Sequence, residues 1–137
     1  LPMSVEARWE LEDVLALVFP PQFKRAQFDV ALKLLRHLSE REALDGEQLA
    51  QWQEQNRVAN STLRNLVIPR LVSAGMLARE RLNPTGQTDK DKRHHMVLHA
   101  SKRFGESFKH VGEQWNSIVE TWRAKRRQQQ GLEAGGP

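Results

Sequence analysis

The chain contains no cysteine. That absence removes disulfides, thiolate catalysis, cysteine-based zinc sites and thiol redox sensing from consideration. Long apolar runs are missing as well. None approaches the ~20 residues that cross a bilayer, and no secretory pattern opens the chain, so a soluble, intracellular protein with no membrane partner is expected. No glycine-rich phosphate loop, metal-ligand set or nucleophile–base–acid arrangement is visible, so the residues predict neither an enzyme nor a cofactor. Nor is there an internal repeat.

What is present is the material of one ordinary domain: 137 residues, 39% hydrophobic and 28% charged. The net charge of +4 is unevenly spread. Residues 1–56 hold six Lys/Arg and ten Asp/Glu, a balance of −4, whereas residues 57–103 hold ten and three, a balance of +7. Residues 104–137 hold five and four. Basic charge gathered in one part of a domain is the footprint expected of phosphate binding. A merely solvated surface is the plainer alternative.

Periodicity divides the chain into helices and one hairpin. SVEARWELEDVLALVF (Ser4–Phe19) is predicted helical: Ser4 can cap it, Glu6 and Glu10 suit the positive end of its dipole, and Leu11, Val14, Leu15 and Val18 share a face. Pro20 and Pro21 stop it. The next helix, QFKRAQFDVALKLLRHLSE, has an apolar stripe of Phe28, Ala31, Leu32, Leu35 and Leu38. REALD is read as a connection and GEQLAQWQEQ as a third helix. Asn60 is placed as the cap of a fourth, which Gly75 ends in a left-handed conformation. MLARERL alternates as a strand does, NPTGQTDKDKR is a loop, and HMVLHA is a short returning strand. From Ser101 a long helix runs to about Gln128, and the tail 131–137 is expected to be disordered.

The fourth helix is irregular. Leu63, Val67 and Leu71 are spaced four and four, and Pro69 removes the amide that would bond the Asn65 carbonyl. A kink or one-residue bulge near Asn65–Pro69 is predicted. Its buried face is expected to comprise Leu63, Leu66, Val67, Leu71 and Ala74.

In order and spacing, Leu49-Ala50, VANSTL, LVSAGML, the hairpin and HMVLHAS resemble a winged helix-turn-helix domain, with flanking helices similar to MarR-like, PadR-like and small archaeal winged-helix regulators. The stretch from Ala50 to Val58 is longer than the usual compact motif, and where the family pattern has apolar anchors four then three residues apart, the four-and-four spacing of Leu63, Val67 and Leu71 implies one extra residue in the fourth helix. The resemblance implies a mainly α fold with a small β-hairpin, a winged core over about 22–101 and long N- and C-terminal dimerisation helices, all in a single domain over 1–130. It also implies double-stranded DNA as partner, read by the start of the fourth helix in the major groove, and a nucleoid-associated place in the cytoplasm. Asn60, Ser61, Thr62, Arg64 and Asn65 would be the reading residues, since Asn suits adenine, Arg suits guanine, and Ser and Thr suit phosphates or bases. Simple capping is the alternative for the first three. Arg79, Arg81, Lys90, Lys92 and Arg93 would neutralise phosphates from the wing. His94, His95 and His99 do not make a metal site: on a strand the last two stand about 13 Å apart, and the first two face opposite ways.

The last helix carries its own pattern. Phe104, Phe108, Val111, Trp115, Ile118 and Trp122 are spaced four, three, four, three, four, which is a heptad seam. Gly105 and Gly112 accompany it at heptad spacing. So small a domain cannot cover so long a seam, so a symmetric homodimer is predicted, with Val5, Trp9 and Leu11–Val18 of the N-terminal helix adding to the interface. The basic cluster Arg123–Arg127 suits the negative end of this helix. A small apolar effector between Trp9, Trp115 and Trp122 is conceivable but nothing else in the sequence indicates one. The functional expectation is thus a dimeric, sequence-specific transcription regulator. The alternatives are an architectural or plasmid-maintenance DNA-binding protein with little sequence preference, and a winged-helix module that binds an acidic protein.

Overall fold

The computed structural model describes residues 7–81 and 96–134 of the chain. It is mainly helical, with one small three-stranded antiparallel sheet. The chain divides into two compact units, Leu1–Lys102 and Arg103–Pro137.

In the first unit, α1 (Leu11–Leu15) is short. The long N-terminal helix expected from Ser4 is not found, and residues 1–6 lie outside the described residues. Asp13 accepts a hydrogen bond from the Glu10 amide at 2.9 Å, which fixes the helix start at Leu11. Beyond Leu15 the Leu17 and Val18 amides bond only three residues back, so the helix tightens into turns before Pro20. Leu15, Val18 and Phe19 are buried in the chain's own core, so the expected contribution of Leu11–Val18 to a dimer interface is corrected: two of its members are already used.

Helix α2 (Pro21–Ser39) begins with Pro21 in its first turn, where a missing amide costs nothing. It bends at Lys24, and an Arg36–Glu12 ion pair ties it to α1. Its buried stripe is Phe28, Ala31, Leu34 and Leu38; Leu32 and Leu35 are only half-buried. Strand β1 (Leu44–Asp45) lies inside what the sequence reads as a connection, because two residues are too few to show a period. Helix α3 (Gly46–Gln55) follows at once. Asp45 caps it by accepting from the Gln48 amide at 2.7 Å, while Gln48 returns a bond to the Asp45 amide at 2.9 Å.

From Asn60 to Ala74 the backbone is continuously helical but not uniform. It passes from α4 (Asn60–Thr62) through a π-helical turn (Leu63–Val67) into α5 (Ile68–Ala74). The π turn holds the one extra residue that the four-and-four spacing predicts, and Pro69 sits where α5 starts, so its absent amide is tolerated. The insertion re-phases the buried face. Leu63, Val67, Ile68 and Leu71 are buried, whereas Leu66, expected inside, is 47% exposed, and Ala74 is half-buried.

Gly75 ends the segment at φ 88°, a left-handed backbone. Its amide bonds to the Val72 carbonyl and the Met76 amide to the Leu71 carbonyl, both at 3.0 Å, closing a Schellman turn. Gly75→Ala should therefore cost about 1 kcal/mol, read as a lower urea midpoint at unchanged m-value.

Strand β2 (Leu77–Arg81) pairs with β3 (Met96–Ala100), and β1 pairs with the other edge of β3. The strand order is β1-β3-β2. Leu44, Leu98 and Arg79 stand in one row across the sheet. Leu44 and Leu98 are buried and pack the sheet onto the helices, while Arg79, on the same face at the edge strand, stays exposed.

The second unit is α6 (Arg103–Ala134), 32 residues or about 48 Å long. It continues past the expected end at Gln128, so residues 131–134 of the anticipated tail are helical. Gln, Leu, Glu and Ala are all good helix formers, and a lone Gly131 weakens a helix without forcing it to end. Residues 135–137 lie outside the described residues.

Candidate nucleic-acid interface

The exposed side of the 60–74 helical segment is built from Asn60, Ser61, Arg64, Asn65, Leu66, Pro69 and Arg70. Thr62 is half-buried. Ala59, with an extended backbone, precedes the first turn, so Asn60 is its first helical residue and not its cap. No side chain caps this first turn. The capping alternative for Asn60, Ser61 and Thr62 is thus not what the geometry provides.

Gln53 of α3 organises this end of the segment. Its amide nitrogen donates to the Val58 carbonyl at 3.3 Å and to Asn60 Oδ1 at 3.2 Å, and its oxygen accepts from Arg64 Nε at 3.4 Å. One side chain thereby orients both Asn60 and Arg64 and leaves the terminal nitrogens of Arg64 outside this network. The sequence offers no signal for this role, because Gln53 lies seven and eleven residues from its partners. The turn that carries α3 back is also specific. Arg57 adopts φ 52°, and the Arg57 and Val58 amides bond to the Glu54 and Gln53 carbonyls at 3.2 and 3.1 Å. This is again a Schellman turn, here with arginine in the left-handed position that glycine fills best.

The strand contributes from across a cleft. Arg64 of the π turn and Arg79 of β2 both line a cavity of about 270 Å³, whose floor includes Leu49, Ile68 and Leu98. Two cations from separate elements therefore face one apolar-floored cleft. Arg81 is exposed two residues further along β2. Arg70 is differently engaged: its Nε donates to the Val18 carbonyl at 2.9 Å and its guanidinium lies 5.7 Å from the Phe19 ring, so it braces the fold. Lys90, Lys92 and Arg93 lie outside the described residues, as do His94 and His95. His99 faces Glu80 across the sheet at 3.5 Å. No group of three or more potential metal ligands occurs among the described residues.

In α6, five of the seam residues are well exposed, from 45% for Ile118 to 63% for Val111, and Phe104 is half-buried. The Trp115 and Trp122 rings meet edge to face at 5.8 Å, and those of Phe104 and Phe108 lie 4.7 Å apart. Trp9 belongs to the first unit, ahead of α1, and is half-buried. Among the described residues no helix is long and apolar enough to cross a membrane.

Comparison with protein-family models, curated proteins and solved structures finds no match.

Proposed function

We propose that the chain is a dimeric, sequence-specific double-stranded DNA-binding protein that acts as a transcription regulator. In this reading α3 and the 60–74 helical segment are a helix-turn-helix, β2 and β3 are the base of a wing, and α6 is the dimerisation helix. The observation that carries it is the grouping of Asn60, Ser61, Arg64 and Asn65 on one exposed helical face, with Arg79 meeting Arg64 at the same cleft. Amides, hydroxyls and guanidinium groups in that arrangement match the chemistry of base edges, and the +7 balance of residues 57–103 matches that of phosphates. Leu66 adds an apolar group to the face, suited to a thymine methyl.

Titration of a labelled duplex at several salt concentrations tests the proposal. Affinity should fall steeply with salt, and Arg81→Ala should weaken every duplex alike while lowering the salt slope by about 0.9. Gln53→Ala should lower affinity for a preferred site by roughly 10-fold while changing stability by under about 1 kcal/mol, since it frees Asn60 and Arg64 without touching the core. Failure to bind any duplex in dilute buffer would refute the reading.

A further inference from the structure

We infer that α6 pairs with a second copy of itself in the antiparallel sense, about a two-fold axis at the level of Glu113 along the helix. The inference rests on the reading of α6 as the dimer helix and specifies how that dimer is built. The seam has two kinds of position. Phe108, Trp115 and Trp122 occupy one, while Phe104, Val111 and Ile118 occupy the other. In a parallel pair like meets like. Indole would then be forced against indole in two layers, at Trp115 and Trp122, with only two Ile118 side chains in the layer between. In an antiparallel pair each position packs against the other kind, so large faces small in the central layers.

One register satisfies all six residues. Val111 faces the partner's Trp115, Phe108 faces the partner's Ile118, and Phe104 faces the partner's Trp122. Sliding by one heptad in one direction sets Phe108 and Phe104 against the partner's Lys125 and the partner's Gln129. Sliding in the other carries Trp122 beyond the start of the partner helix.

The glycines fit the same register. A Cβ at Gly105 or Gly112 would meet nothing within 4 Å, so no neighbour among the described residues accounts for either. In an antiparallel pair each seam edge faces its own copy. Gly112 then lies opposite Gly112 of the partner subunit beside the axis, and Val119 packs over the partner's Gly105. The other edge carries Ser107, Gln114 and Thr121, none of which brings charge into the contact. The area suffices: large side chains left about half exposed give roughly 500 Å² per copy, and a stable interface needs about 1,000 Å² in all. The arrangement separates the two Arg103 residues, where the chains enter α6, by about 30 Å at 1.5 Å per residue, whereas a parallel pair would start both helices side by side.

The absence of native cysteine makes the test direct. Phe108→Cys and Ile118→Cys variants of the full chain are oxidised separately and as an equimolar mixture, without DNA. Cross-linked dimer should form at least 5-fold more in the mixture than in either variant alone. Self-linking of each separate variant would mean a parallel pair and overturn the inference. Gly112→Cys leaves all six seam residues in place and should link to itself across the axis. A dimer by mass in which Gly112→Cys does not self-link would likewise overturn the register. If the unsubstituted chain is monomeric by mass, the dimer reading itself falls. DNA binding by that chain, measured separately, tells the failures apart.

Discussion

Arg64→Ala should abolish most of the discrimination between a preferred DNA site and a scrambled one. A bidentate arginine–guanine pair accounts for about 1–3 kcal/mol of discrimination, or roughly 5- to 150-fold in relative affinity. Arg64 is placed for such a role. It projects from the π turn, is held at its Nε by Gln53, and contributes nothing to the buried core of Leu63, Val67, Ile68 and Leu71. Folding stability should accordingly change by less than about 0.5 kcal/mol. Arg64→Lys should not restore discrimination, because an ammonium keeps the charge and loses the planar fork. Competition binding with matched and scrambled duplexes at fixed salt separates the two effects. Equal loss on both duplexes would assign Arg64 to phosphate neutralisation.

Trp115→Ala should dissociate the dimer and weaken binding to a two-half-site duplex by 10²- to 10⁴-fold, the range expected when two linked contacts become independent. Trp115 stands near the middle of the seam with more than half its surface exposed, so truncation removes a central anchor from both copies at once. Gly105 and Gly112 cost about 1 kcal/mol each in an isolated helix, which makes α6 dependent on what it packs against. Sedimentation gives the mass and a half-site duplex gives the control: affinity for a single half-site should be nearly unchanged.

The local signals were legible where chemistry and spacing agreed. Helix α3 spans the ten residues its pattern marks, because Asp45 and Gln48 form a reciprocal cap at one end and a left-handed residue closes the other. The four-and-four spacing of Leu63, Val67 and Leu71, together with Pro69, announced an extra residue, and the π turn holds it. Its consequence was harder to foresee. Assigning the face at 100° per residue put Leu66 inside, but the wider turn brings Ile68 in and pushes Leu66 out. Strand β1 was invisible because its pairing is set by β3, more than fifty residues away in sequence. The N-terminal helix was over-extended because a face of Leu11, Val14, Leu15 and Val18 reads equally well as one turn and a tight corner. Of the candidate site, the residue types on 60–65 were readable. The convergence of Arg64 and Arg79 at one cleft, and the tether through Gln53, depend on tertiary packing that no local pattern encodes.

Duplexes selected from a random pool by binding to the full chain should be enriched for a near-palindromic site whose half-sites lie about one helical turn, or 10–10.5 base pairs, apart. A pool that emerges without an enriched motif, or with a single unpaired half-site as the optimum, would contradict dimeric, sequence-specific binding.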